Sequence, residues 1–185
     1  MNLVTDIDIC FYAQELARHL FGIGQPVDDT FRGRLCAAMD RKMKNLMLSR
    51  SVVDVRSKIN RMYVENPLNC QENKLVFFKM IADEVFTDSI NWGRITVFYF
   101  LAIDWFTLVD TVNDTTARFV GTYITNKCGS WIDSEGGWQA YIDFVRTTLD
   151  EDDDNDEEAK GLTFGEKLLL GVCLMFAVHC LVPVM

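Results

Sequence analysis

Three features of the sequence predict an all-α fold. Proline occurs only at positions 26, 67 and 183. Stretches that alternate apolar and polar residues between turn signals, the mark of half-buried strands, are lacking. Apolar residues recur instead at intervals of three and four, which gathers them on one face of a helix. With 185 residues, 49% of them hydrophobic, the chain can bury a sizeable core, and its composition excludes a disordered polymer.

The elements follow in order. Ile9, Ala13, Leu16 and Leu20 mark a first helix, which Gly22, Gly24 and Pro26 end. Asp28, Asp29 and Thr30 offer N-caps for a second, whose Phe31, Leu35, Met39, Met43 and Leu46 form one stripe. A weaker helix over residues 52–65 closes at Asn66-Pro67, because the residue before proline avoids helical geometry. Asn69 with Glu72 resembles a capping box, and Leu75, Phe78, Ile81, Ala82 and Val85 face one way beyond it. Between residues 95 and 109 the only carboxylate is Asp104, so that helix is apolar nearly all round. Its fifteen residues reach only about 22 Å, short of a bilayer core of about 30 Å, which predicts a central helix wrapped by others. Asp114 or Thr115 caps the next helix, which carries Phe119, Val120, Tyr123 and Ile124 and stops at Lys127 and Gly129. A last amphipathic piece over residues 136–149 presents Trp138, Tyr141, Ile142 and Val145.

The formal charge of −9 is concentrated in residues 150–158, where only Asn155 is not acidic; without those eight carboxylates the remainder stands near −1. This divides the chain into a folded body at 1–149, an acidic spacer at 150–161 and a tail at 162–185. Residues 168–185 carry no charge other than any on His179, and at eighteen residues reach the lower limit for a membrane-spanning helix. Lys160 and Lys167 flank that run modestly. A membrane anchor, a helix lying in the protein's own groove and a core helix all fit it.

Several function classes are excluded. No basic patch with interleaved aromatics suits nucleic acid. His19 and His179 stand beside no nucleophile, and no Gly-rich loop cradles phosphate, so no catalytic residue, no cofactor and no enzyme activity is expected. Cys10, Cys36, Cys70, Cys128, Cys173 and Cys180 are scattered without metal-site spacing and read as free buried thiols of a reducing compartment. Asp6 and Asp8 without a basic n-region predict that there is no signal peptide, and hence synthesis in the cytosol.

Two motifs remain. Asn91-Trp92-Gly93-Arg94 opens the apolar helix, and Trp131-Ile132-Asp133-Ser134-Glu135-Gly136-Gly137-Trp138 answers it downstream, both read as helix starts. Residue by residue, Asn91 reads as an N-cap or a ligand contact, Arg94 as a solvated side chain or a partner's anchor. The tryptophans read as packing, and Gly136-Gly137 as a turn. In this order the two stretches resemble the first and second homology motifs of the Bcl-2 family of apoptosis regulators. Glu84 to Ile90, leading into the first motif, and Phe98-Tyr99-Phe100 after it extend the resemblance, while Phe77-Phe78-Lys79 and Ala82 look like the preceding helix in the Bax and Bak branch.

The resemblance implies a helical bundle around a central hydrophobic hairpin, here residues 95–109 and 117–127, with an apolar C-terminal tail helix. It also implies a groove that receives the death-motif helix of a pro-apoptotic partner, including Bax/Bak-type effectors. Such a groove needs apolar pockets, close backbone approach and one charge that fixes register. Leu46, Ile81 and Val85 would supply floor and wall, met by Val97 and Leu101, with Tyr141 counted among them. Gly93 would let the ligand backbone approach, Asn91 would exchange hydrogen bonds with it, and Arg94 would pair with its aspartate.

The third family motif, Leu-x-x-x-small-Asp, is best matched by Leu35-Cys36-Ala37-Ala38-Met39-Asp40. Met39 stands where a small residue is usual and Lys42 takes an apolar position. A bulky thioether in that tight contact would cost roughly 1 to 3 kcal/mol of repacking. These departures favour capturing a motif helix over donating one, so a pro-survival regulator at the cytosolic face of the mitochondrial outer membrane is expected, with cytosolic or reticular pools. The alternative is a Bax/Bak-like effector that oligomerises and permeabilises that membrane, suggested by Phe98-Tyr99-Phe100 and the short connection between the first two helices.

Overall fold

The computed structural model describes residues 3–48 and 70–150 and, between them, 56, 57, 59–61, 63 and 64. Every regular element among these is helical, as the periodicity predicts. The helices are α1 (Leu3–Leu20), α2 (Phe31–Leu48), α3 (Gln71–Val85), α4 (Trp92–Leu108), α5 (Asp114–Ser134) and α6 (Trp138–Asp150). The described residues of the expected 52–65 helix are helical too. The acidic stretch beyond Asp150 and the apolar tail lie outside the described residues. Among the described helices none is long and apolar enough to cross a membrane.

The described residues fall into two compact units, one of those up to 45 and from 90 to 150, the other of those between 46 and 89. In the first, α1 and α5 run antiparallel at close range. Arg18 Nε donates to Asp114 at 2.7 Å at one end. In the middle, a Cβ built on Gly121 would fall 2.5 Å from Gln14 Cγ and 2.7 Å from its Cα and N. Toward the other end, a Cβ on Gly129 would meet Ile9 Cγ2 at 3.9 Å. Only glycine at 121 permits that approach.

The central hairpin is present, formed by α4 and α5. Ile95, Phe98, Tyr99, Phe100, Leu101, Ala102, Trp105 and Phe106 are all buried, which accounts for a sequence apolar on every side. Burying each such large side chain contributes roughly 1.5 to 3 kcal/mol. Phe98 stacks on Tyr123 and Phe106 meets Phe119 edge-on, setting the hairpin's register. Tyr99 Oη donates to the Ala13 carbonyl at 2.9 Å, pinning α4 to α1. Asp110 makes the turn at φ 51°, a left-handed conformation that aspartate tolerates better than most residues.

Helix boundaries correct the sequence reading at several points. The N-cap of α5 is Asn113, whose side chain accepts from Thr116 N, not Asp114 or Thr115. The helix passes through Gly129 and ends at Ser134; Gly129 is an interior helical residue beside α1, with room for a methyl group, and not a stop. Trp131 to Ser134 therefore close a helix instead of opening one. Gly136 and Gly137, at φ 100° and 71°, make the turn that glycine permits, and α6 starts at Trp138. The N-cap of α3 is Cys70, without a side-chain cap bond, in place of the Asn69 capping box, and Asn69 itself lies outside the described residues.

Other ends match. Gly22, at φ 69°, closes α1: its N–H donates to the His19 carbonyl and that of Ile23 to the Arg18 carbonyl, a Schellman pair. Thr30 Oγ1 accepts from Gly33 N at 3.3 Å and caps α2. In the second unit, Phe78, Ile81, Ala82 and Val85 of α3 are buried as the periodicity predicts.

Candidate functional site

The head of α4 is fixed by its own first residues. Asn91 is extended at φ −157° and its Oδ1 accepts from Arg94 N at 2.9 Å, satisfying an amide the helix leaves unpaired. The capping reading of Asn91 is therefore realised, which spends its side-chain oxygen. A Cβ on Gly93 would lie 3.3 Å from that oxygen and near nothing else, so glycine there leaves the cap and the surrounding space open. Arg94 and Val97, in the first two turns, are half-buried.

Behind this turn the two motifs meet. Trp92 contacts Trp131 edge-on with ring centroids 4.7 Å apart, Tyr141 at 5.6 Å and Trp138 at 6.0 Å. Trp92, Trp138 and Tyr141 are buried. The Thr96 and Tyr141 hydroxyls and the Trp138 indole N–H all have partners, as burial demands. Trp138 Nε1 donates to the Ile9 carbonyl at 3.1 Å. Thr96 Oγ1 donates to the Trp92 carbonyl at 2.9 Å and lies 3.0 Å from Tyr141 Oη. Tyr141 Oη in turn reaches Met39 Sδ at 3.2 Å. Burial pushes the Tyr141 phenol well above its ordinary range. The indoles thus fix the start of α4 to the α5–α6 turn and to α1.

The chain's own motif helix, α2, faces that cluster. Leu35, Ala38 and Met39 are buried, and Met39 has no exposed surface. Burial also pushes the Cys36 thiol up to about 11. Asp40 points outward, both carboxylate oxygens 2.8 to 2.9 Å from His19 Nε2. Lys42 Nζ donates to Thr148 Oγ1 at 3.0 Å and lies over the Phe144 ring.

Among the residues assigned to the groove, Asn91 is exposed and Gly93, Arg94 and Val97 are half-buried at the head of α4. Leu101 lies deeper on α4 and is buried, as is Tyr141, whose hydroxyl serves the internal network; neither offers a ligand open surface in this conformation. In the second unit, Leu46 is half-buried, while Ile81 and Val85 are buried. Thr96 and His19 went unassigned in the sequence. A threonine inside an otherwise apolar helix was the available signal, since its hydroxyl needs a partner. No signal in the sequence pairs His19 with Asp40. Among the described residues, no three His, Cys, Asp or Glu side chains gather as a metal site requires.

Comparison with known proteins follows from this architecture. The sequence model described as apoptosis regulator proteins of the Bcl-2 family matches residues 48–138. The chain is similar to Bcl-2-like protein 1 of Gallus gallus, with 32% identity over 73 residues, 36% of this chain and 31% of that protein. The match thus spans less than a third of that relative's length. In fold the chain resembles chicken BOK, with TM-score 0.60 and 21% identity over 75% of this chain and 97% of that one. It also resembles Geodia cydonium BHP2, solved in complex with Lubomirskia baicalensis Bak-2, with TM-score 0.57 and 16% identity over 78% of this chain and 94% of that one.

Proposed function

The chain belongs to the Bcl-2 family of apoptosis regulators, and from that premise we propose that it is a pro-survival member that captures the death-motif helices of pro-apoptotic partners. The observation that carries this reading is the state of its own motif helix. Both departures from the motif are engaged within the bundle: Met39 is buried with its sulfur on Tyr141, and Lys42 is tied to Thr148. An effector has to surrender this helix to another copy. Doing so here exposes Leu35 and Met39, at roughly 1.5 to 3 kcal/mol each, and breaks a hydrogen bond of about 1 kcal/mol.

Capture asks less of the fold. The Asn91 cap holds the first turn of α4 rigid, and Arg94 within it carries a planar fork suited to a carboxylate of the incoming helix. A fold relative, BHP2, was solved bound to a Bak-type protein, which supports partners of that class for this chain. In this reading residues 168–185 carry the protein to the mitochondrial outer membrane.

The test is dye release from liposomes of mitochondrial lipid composition, with the full chain added alone and then beside an activated Bak-type effector. Suppression of effector-driven release is expected. Release by the chain alone would replace this reading with the effector one. Arg94→Ala is expected to weaken an aspartate-bearing death-motif peptide about tenfold or more, the worth of a hydrogen bond to a charged group. Unchanged affinity would remove Arg94 from the recognition.

A further inference from the structure

Away from the head of α4, the amino-terminal parts of α1 and α2 and the α5–α6 turn line an open cavity of about 400 Å³ within the first unit. That is the lower part of the range for small-molecule pockets, about 300 to 1,000 Å³. Tyr12, Phe31 and Trp138 supply aromatic wall, while Asp8 and Asp133 supply carboxylates.

We propose that this cavity binds an organic ammonium ion. The Tyr12 and Phe31 rings stand 4.8 Å apart at 66°, two walls of a corner. Trp138, almost wholly buried and held by its bond to the Ile9 carbonyl, closes the cavity behind them. Ring faces carry negative quadrupole charge and attract a cation, most strongly one with a weakly hydrated, apolar shell. Phe31 already takes a cation, since the Arg34 guanidinium lies 5.9 Å from its centroid.

The charges agree. Glu15, Asp28, Asp40 and Asp114 each face a basic side chain of the protein. Asp8 and Asp133 are exposed, and among the described residues they have no ion pair and no basic side chain lines the cavity. The N-terminus of α6 opposes them with about half a positive charge, and the Arg34 guanidinium, outside the lining but over Phe31, adds one more; the two carboxylates still outweigh both. Two carboxylates beside aromatic rings lack the oxygen donors a bare metal ion needs. They suit an ammonium group, borne either by a lysine-like side chain or by a free quaternary amine.

The test is a titration of the full chain followed by amide and indole NMR shifts, using choline chloride in one arm and Nα-acetyl-lysine amide, with its side-chain ammonium free, in the other, and sodium chloride as ionic control. Saturable shifts at Gly136, Gly137, Gln139 and the Trp138 indole are expected, in the millimolar range. The arm that saturates first identifies the source. Asp8→Asn with Asp133→Asn should weaken binding at least fivefold, and Tyr12→Leu should weaken it several-fold. A rise in melting temperature with the organic cation beyond that with sodium gives a readout on the unsubstituted protein. Absence of saturable shifts, equal shifts with sodium chloride, or undiminished binding in the double variant would overturn the proposal.

Discussion

The interface between α1 and α5 contains two helical glycines that should respond to alanine with opposite signs. In a helix interior, glycine is less favourable than alanine by about 1 kcal/mol, so each substitution begins with that gain. At Gly129 the new Cβ would meet Thr125 Cγ2 at 3.8 Å and Ile9 Cγ2 at 3.9 Å, ordinary contact distances. Nothing opposes the gain, and Gly129→Ala should stabilise by about 0.5 to 1 kcal/mol. At Gly121 the Cβ would fall 2.5 to 2.7 Å from Gln14 atoms, two of them backbone. Carbon atoms settle near 3.5 to 4.0 Å, so α1 must retreat by about 1 Å along a packed face. Overpacking of this kind costs about 1 to 3 kcal/mol, and the backbone contact puts it at the upper end. After the propensity gain, Gly121→Ala should lose about 2 kcal/mol. Paired urea and thermal unfolding of the two variants measures the difference, about 3 kcal/mol between them, or several degrees in melting temperature for a chain of this size. If Gly121→Ala unfolds no more readily than the parent, α1 does not lie on α5 at the described distance.

Other outcomes follow from single groups. Tyr141→Phe removes the hydroxyl shared by Thr96 and Met39 and should cost about 1 kcal/mol without moving the Trp92 cluster, as denaturant midpoint and near-ultraviolet dichroism would register. Among the described cysteines, Cys70 is exposed and should label first with maleimide, whereas burial raises the Cys36 and Cys128 thiols to about 11 and about 12 and should protect both until unfolding; early Cys128 labelling by mass spectrometry would contradict its place in the core. The hydrogen bond from Arg18, and then that from Arg118, holds Asp114 below its ordinary value of 3.8. Its folded form therefore binds protons less readily than its unfolded form, so its contribution is complete above about pH 4 and fades as pH falls further. Asp114→Asn should lose that part of the acid dependence, visible in melting temperature between neutral and strongly acidic buffer.

How much was legible in the sequence depended on how local the cause was. Helix α4 was readable because a run with only Asp104 as a carboxylate has one soluble solution, enclosure by other helices. Gly136-Gly137 was readable as a turn because positive φ is a property of the residue itself. Gly129 misleads for the same reason in reverse: a glycine near a helix end looks like a stop, whereas α5 simply continues through it to Ser134. The cap of α5 fell on Asn113 rather than its neighbours because several cap-forming residues in a row leave register to tertiary packing. Cys70, taken with the other cysteines as buried, is exposed because it caps α3. At the site, Asn91 and Arg94 were found by their motif, whereas the fate of Tyr141 required its fold neighbours, Thr96 and Met39, to be known.

The ties at the two ends of α1 differ in what would loosen them, and this gives the helix a direction. At its carboxyl end, Arg18 holds Asp114 at a partly exposed margin, where salt screens the pair. At its amino-terminal half, the Ile9 carbonyl receives the buried Trp138 indole in a hydrogen bond between neutral groups, which salt does not screen. Raising ionic strength should therefore fray α1 from the residue 18 end while residue 9 stays seated, so that the helix peels like a strip fastened firmly at one edge.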